Sequence, residues 1–314
     1  MKLPDILYKT LKSLGLTKKF KPLEFPGMID VGLTNSCNLN CSFCVNDKIR
    51  KKRGFMDPLL FRSIIDCVRN KFQGKTVLGI SLWGEPTLHP NFIEFLKYAF
   101  ENGIKINLSS NFVEVNEAIA KAIIDYKVNA IEISFYNSDK DEYNKIVGRE
   151  KYDQVLKNIK YFLTLAQVSG FKGEVRVRPF KNFSNQLDFY KKEFYQKYPS
   201  LNFETHSPKT TRNWAGQLNL PNLLKGVYLR VPCPFPFDRL AVDWDGEVRL
   251  CCQAMLAEDL RAGFITPDHD LAEMWNGQKM KEIREKFSKI DYRSFPSCRN
   301  CYDSRRYVPL RKEL

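Results

Sequence analysis

Residues 29–48 read IDVGLTNSCNLNCSFCVNDK, a β-branched apolar run followed by a polar turn and cysteines at 37, 41 and 44. The first five residues have the composition of a buried strand. A strand that feeds directly into Cys-x3-Cys-x2-Cys puts three thiols at its C-terminal end. Three thiolates can hold a [4Fe–4S] cluster at three of its irons, leaving the fourth open to a small molecule. A structural zinc site asks for four ligands, and the nearest histidine in the sequence is His89.

Outward from this stretch, strand-like runs alternate with helical patterns. The runs are 77–83 (VLGISLW), 105–110 (KINLSS), 130–136 (AIEISFY), 174–180 (EVRVRPF) and 201–206 (LNFETH). Apolar residues at helical spacing fill 58–72, 91–102, 114–126, 152–169 and 185–198 between them. Six β/α repeats predict a parallel sheet wrapped by helices, an open partial (β/α)6 barrel of the TIM type. Its working face lies at the strand C-termini.

The chain has 314 residues, 43% hydrophobic and 27% charged, which suits one large domain plus a small one. No run of 18 apolar residues is present, so no transmembrane segment is expected. The N-terminus lacks the features of a secretory signal, and the expected location is cytoplasmic. There, nine cysteines argue for metal or redox chemistry rather than disulfides. Cys67 sits in an apolar pattern and reads as an ordinary core thiol. The net charge is +14, but only 48–53 (KIRKKR) is a dense basic run, read as a solvated face. Residues 1–27 form an N-terminal extension whose helical pattern predicts packing on the barrel, with docking on a membrane or partner as the alternative.

A connector without clear period runs from 208 to 231. Then comes RLAVDW-DG-EVRLCC, a β-hairpin turning at Asp245 and Gly246. A helix over 270–288 and the SCRNC tail follow, giving a small C-terminal α+β unit.

The cysteine loop resembles that of the radical S-adenosylmethionine (SAM) superfamily. A second motif of that family, Gly84-Glu85-Pro86, follows the second strand. The resemblance implies a SAM-binding [4Fe–4S] cluster on Cys37, Cys41 and Cys44. It also implies contacts from Gly84, Glu85 and Pro86 to the SAM amino group, through backbone carbonyls and the carboxylate. By the same resemblance Phe43 lies near the adenine, Asn111 and Ser134 near SAM, and Arg149 near its carboxylate. Where relatives often read Thr-Asn-Gly, this chain has Ser110, Asn111 and Phe112. Where they continue from the serine with Asp-Gly, it has Phe135 and Tyr136.

The tail is similar to the start of a SPASM pattern: Cys233, Gly246, Cys251, then Cys298-x2-Cys301. It is the shortened form called a twitch domain, and its layout resembles that of twitch-type aminocyclitol dehydrogenases. This implies an auxiliary [4Fe–4S] cluster on Cys233, Cys251, Cys298 and Cys301, with Cys252 left to packing; a zinc ribbon is the alternative. The domains expected are therefore 1–27, the partial barrel at 28–225 and the twitch-like unit at 226–314.

The resemblance implies an oxidoreductase. Its reduced cluster cleaves SAM to a 5′-deoxyadenosyl radical, which takes a hydrogen atom from the substrate. The first reading of that substrate is a small polar molecule, a sugar, aminocyclitol or glycan precursor, that is oxidised or epimerised. Residues 206–220 are the segment expected to contact it. The alternative is a maturase acting on a peptide or protein side chain. A nucleic-acid-modifying enzyme ranks below both, and no nucleic-acid partner is expected. The electron donor expected is a flavodoxin or ferredoxin. No catalytic acid or base is assigned.

Overall fold

The computed structural model describes residues 21–48, 52–179, 184–204, 227–230, 233–254, 256–299, 301 and 305–308. The N-terminal helical pattern up to residue 20, the connector segment 206–220 and residues 49–51 of the basic run lie outside them.

Six strands run parallel in chain order: β1 (Met28–Val31), β2 (Val77–Ile80), β3 (Ile106–Ser110), β4 (Ala130–Ile133), β5 (Glu174–Val177) and β6 (Asn202–Phe203). Between them lie helices α1 (Pro58–Asn70), α2 (Phe92–Glu101), α3 (Glu117–Asp125), α4 (Lys140–Val147), α5 (Tyr152–Val168) and α6 (Ser184–Tyr190). A π-type turn at Lys191–Tyr195 continues α6, so the helix expected over 185–198 changes pitch midway. Strand alternation explains the layering. Ile29, Val31, Leu78, Ile80, Leu108, Ile131, Ile133, Val175 and Val177 are at most 2% exposed and belong to one apolar core. Each such side chain stabilises by about 1.5–3 kcal/mol. The intervening positions, among them Asp30, Asn107, Ser109, Glu132, Arg176 and Arg178, give the opposite face a polar lining. Ion pairs cross it, with Arg178 to Glu132 at 2.6 Å and Arg176 to Glu174 at 2.7 Å.

The later strands are β7 (Val227–Arg230), β8 (Arg239–Val242), β9 (Glu247–Arg249), β10 (Arg261–Phe264) and β11 (Arg305–Val308). The expected hairpin is present as β8 and β9, turning through Asp243, Asp245 and Gly246. It does not stand apart from the barrel. β8 pairs in parallel with β1, Met28 opposite Arg239 and Val31 opposite Val242. Among the described residues this makes one open sheet of nine strands, ordered β10-β9-β8-β1-β2-β3-β4-β5-β6, beside a two-stranded ribbon of β7 and β11. The partial, unclosed barrel is thus extended at its β1 edge by the C-terminal unit.

Two helices differ from expectation. The pattern over 270–288 is two helices, α7 (Leu271–Asn276) and α8 (Gln278–Ser288), broken where Gly277 is extended. Glycine has no side chain to favour the helical well there, and it serves as the N-cap of α8. Helix α4 was not expected, because only Tyr143 and Val147 of its residues are buried. Its ends are nonetheless marked: the Asp139 carboxylate accepts from Glu142 N–H, and Gly148 closes it at φ +67°.

Candidate active site

The cysteine loop leaves β1 and is closed at its base by Asn35. The Asn35 side chain donates to Lys52 O and accepts from Gly54 N, both at 3.0 Å. Arg53, from the basic run, donates to the carbonyls of Asn35 and Asn46, the latter at 2.8 Å. Arg53 is exposed, as a solvated run predicts, and its guanidinium also clamps the loop. On the other side the loop is held by α4, with Asn40 N–H to Val147 O at 3.0 Å and Ser42 N–H to Ile146 O at 2.9 Å. A Cβ at Gly148 would lie 2.6 Å from Asn40 O, so this helix end requires glycine.

Cys37, Cys41 and Cys44 come together as half-buried thiols. Burial pushes Cys37 up to about 11, and the charges of Glu85 and Cys44 add to it. Burial raises Cys41 further, followed by repulsion from Cys44 and Cys37. Thiols that oppose one another's ionisation are stabilised as thiolates by a bound cation or cluster. Donors already point at the sulfurs: Asn46 N–H at 3.4 Å from Cys44 Sγ and Asn111 Nδ2 at 3.8 Å from Cys37 Sγ. Such N–H···S contacts are part of how proteins hold and tune iron–sulfur clusters. Thiolates around one zinc at about 2.3 Å lie within roughly 4 Å of each other. Among the described residues the groups of three ligands within 4.8 Å of one another comprise Asp243, Asp245 and Glu247 and no cysteine set. No three of the described cysteine sulfurs therefore all lie within 4.8 Å of one another.

The Gly84-Glu85-Pro86 segment locks onto this loop. A Cβ on Gly84 would overlap Thr34 O and lie 2.8 Å from Ser36 O. Glu85 N–H donates to Ser36 O at 2.8 Å, and Pro86 opens a short helical turn capped by Glu85. The Glu85 carboxylate, 2% exposed, accepts from Thr87 N–H (3.2 Å), Thr87 Oγ1 (2.7 Å), Ser110 Oγ (2.8 Å) and Asn111 N–H (2.7 Å). Burial raises its pKa, against these four donors. The side chain expected to reach an ammonium is thus directed at protein donors, tying β2 to the end of β3. Gly84→Ala is expected to destabilise the protein by about 1–3 kcal/mol, because the added methyl meets backbone that cannot yield; thermal melts of the two proteins check this.

The remaining predicted residues surround the same loop. The ring of Phe43 meets Tyr136 edge-on at 5.0 Å. Asn111 is 7% exposed, and its side chain also donates to Asn38 at 2.8 Å. Ser134 follows β4 with its N–H on Ser110 O at 2.9 Å. Arg149 is exposed, one residue beyond Gly148. Phe112, in place of a glycine, has φ +62° and is fully buried against Phe162. A left-handed backbone at that position accounts for glycine in relatives. Three contributors went unread in the sequence. They are Asn46, Trp83 and Tyr136, whose phenol is raised well above its ordinary value by burial and by Cys41. Only the nearness of Asn46 and Trp83 to the two motifs hinted at them, and Tyr136 carried no such signal.

Cys233, Cys251, Cys298 and Cys301 line one cavity whose walls include Phe235, Leu250, Leu260 and Phe287. All four are at most 9% exposed. Asp259 pins the turn bearing the last pair by accepting from Ser297 N–H (3.0 Å) and Oγ (2.5 Å). Cys252 does not line the cavity. β9 ends at Arg249, so the two neighbouring cysteines sit in a turn rather than on a strand, and their side chains hydrogen-bond to each other.

An open parallel β/α sheet with a three-thiol loop on its first strand and a four-thiol cavity at its extended edge defines a SAM-dependent iron–sulfur enzyme. A model of the radical SAM superfamily matches residues 31–168, and the SPASM model, an iron–sulfur cluster-binding domain, matches 233–302. The chain belongs to the radical SAM superfamily and carries a SPASM domain. It therefore has a SAM-binding [4Fe–4S] cluster and an auxiliary cluster. An uncharacterized protein of Methanocaldococcus jannaschii is 29% identical over 169 residues, 50% of this chain and 54% of that one, so the match spans about half of that relative. The tungsten-containing aldehyde ferredoxin oxidoreductase cofactor-modifying protein of Pyrococcus furiosus is 20% identical over 325 residues, 86% of this chain and 85% of the relative. Mycofactocin maturase MftC of Mycobacterium tuberculosis is 24% identical over 151 residues, 48% of this chain and 37% of the relative. In fold, BtrN in complex with AdoMet and 2-DOIA superposes with a TM-score of 0.59 at 17% identity, covering 88% of this chain and 93% of that one. Streptococcus suis SuiB bound to precursor peptide SuiA gives 0.59 at 16% identity over 95% and 73%.

Proposed function

We propose that this protein is a radical SAM maturase that modifies a peptide or protein side chain by oxidation. The observation that carries this is the sequence relationship to a cofactor-modifying protein and to a maturase. That relationship reverses the order read from the sequence alone, which put a small polar substrate first. When bound, SAM and its cluster supply a radical able to take a hydrogen atom from an unactivated carbon. In this reading Cys37, Cys41 and Cys44 hold that cluster, and Phe43, Gly84, Pro86, Asn111, Ser134 and Arg149 frame the nucleotide. Glu85 fixes the loops around it. Substrate lies over the polar sheet face, where Glu132 and Arg178 form an ion pair and Ser134 follows at the end of β4. A small polar substrate is the second reading, favoured by the charge of that face. A low-potential flavodoxin or ferredoxin supplies the electron.

Products are sought from dithionite-reduced enzyme with SAM and two panels, short precursor peptides and sugars or aminocyclitols. A mass change confined to sugars would overturn the maturase reading.

Four cysteines close the auxiliary site to substrate, which leaves it a role in electron transfer or in the fold. Anaerobic reconstitution is expected to load about eight irons per chain, about four in Cys301→Ala and about eight in Cys252→Ala. Iron loss in Cys252→Ala instead would exchange the two neighbours.

A further inference from the structure

One chain of hydrogen bonds joins the two cysteine sets, and Trp83 is its centre. Cys44 Sγ accepts from Asn46 N–H at 3.4 Å. The side-chain amide of Asn46 donates to Trp83 O. The indole Nε1–H of Trp83 donates to Cys252 O at 2.6 Å. Cys252 is bonded to Cys251, whose Sγ accepts from Gln253 N–H at 3.3 Å. The indole cannot drift. It shares a small apolar cluster with Val45, Leu82 and Ala241, with Cys252 packed against it, and the Arg249 guanidinium lies 5.6 Å from the ring centre. Trp83 is 7% exposed and sits at φ +58°. For a bulky residue that conformation is strained and persists only where the surroundings enforce it. The next residues along the backbone are Gly84 and Glu85.

We propose that Trp83 is a positioning residue that couples the two cluster sites, so that SAM binding at one shifts the reduction potential of the other. Hydrogen bonds to ligand sulfurs set cluster potentials. A displacement of the Gly84 segment moves Trp83, hence Cys252 O, hence the N–H that faces Cys251. Such coupling is reciprocal: the oxidation state of the auxiliary cluster alters SAM affinity by the same factor. The inference rests on Cys44 and Cys251 as ligands. Iron counts of Cys44→Ala and Cys251→Ala test that assignment separately.

The experiment is an EPR-monitored redox titration of the auxiliary cluster in the loaded protein, with and without SAM. It is run on the natural chain, Trp83→Phe and Asn46→Ala. Trp83→Phe keeps an aromatic ring and removes the N–H; Asn46→Ala breaks the same chain at its other end. The natural chain is expected to show a SAM-induced shift. A coupling of about tenfold reads as about 59 mV for one electron. Both variants are expected to keep iron in both sites and lose most of the shift. No shift in the natural chain, or an undiminished shift in both variants, as direct electrostatics would give, overturns the proposal. Loss of either cluster from both variants would assign Trp83 and Asn46 to folding alone and would equally overturn it.

Discussion

Cys41→Ala is expected to lose all detectable cleavage of SAM to 5′-deoxyadenosine and about four of eight irons per chain, with the auxiliary cluster retained. Two thiols cannot hold three irons of a cubane, and the loop offers no substitute. The flanking Asn40 and Ser42 direct their N–H groups into the end of α4. The pKa pattern points the same way. Burial and two neighbouring thiols push Cys41 up, so it ionises most readily with a metal partner. Iron and sulfide assays, EPR of the reduced protein and chromatography of the nucleoside product check this. Full cleavage activity in the variant would mean that the loop is not the radical-generating site.

Glu85→Ala is expected to destabilise the protein by about 3–5 kcal/mol and to weaken SAM binding with it. Four donors converge on this carboxylate. The hydroxyls of Thr87 and Ser110 can rotate to other acceptors, but the backbone N–H groups of Thr87 and Asn111 cannot. Each orphaned, buried N–H costs about 1–3 kcal/mol. The loss frees the end of β3 from the segment after β2, and with it Asn111, whose amide faces Cys37. Glu85→Gln keeps one carbonyl oxygen and should fall between the two. Urea unfolding and SAM titration measure the two effects, and a change under 1 kcal/mol in Glu85→Ala would contradict the argument.

The six parallel strands were legible because β-branched runs such as IEI and VRV bury alternate residues on a helix layer. The cysteine triplet and the Cys298-x2-Cys301 pair stood out because their spacing is local, whereas the placing of Cys233 and Cys251 in one cavity with that pair is a long-range feature. What stayed hidden was non-local or weakly patterned. Helix α4 buries too few residues to show a period, yet it anchors the cysteine loop. The pairing of β8 with β1 depends on a register between residues far apart, which no local window contains. The Glu85 carboxylate could be placed near SAM by motif, but its four donors come from three residues, two of them on β3 or just after it. Trp83 carries no signal beyond its place before Gly84, because its partners lie in loops on both sides.

The pairing of β8 with β1 bears on how the chain is made. Met28 and Arg239 are 211 positions apart. While the ribosome is still producing the intervening residues, β1 has β2 on one side and a bare row of amides and carbonyls on the other. An unsatisfied edge in the middle of a sheet is a template for association with other nascent chains. At about 5–20 residues per second, that edge stays open for on the order of ten seconds or more. Yield in a heterologous host should therefore respond to chaperone supply and growth temperature before it responds to iron.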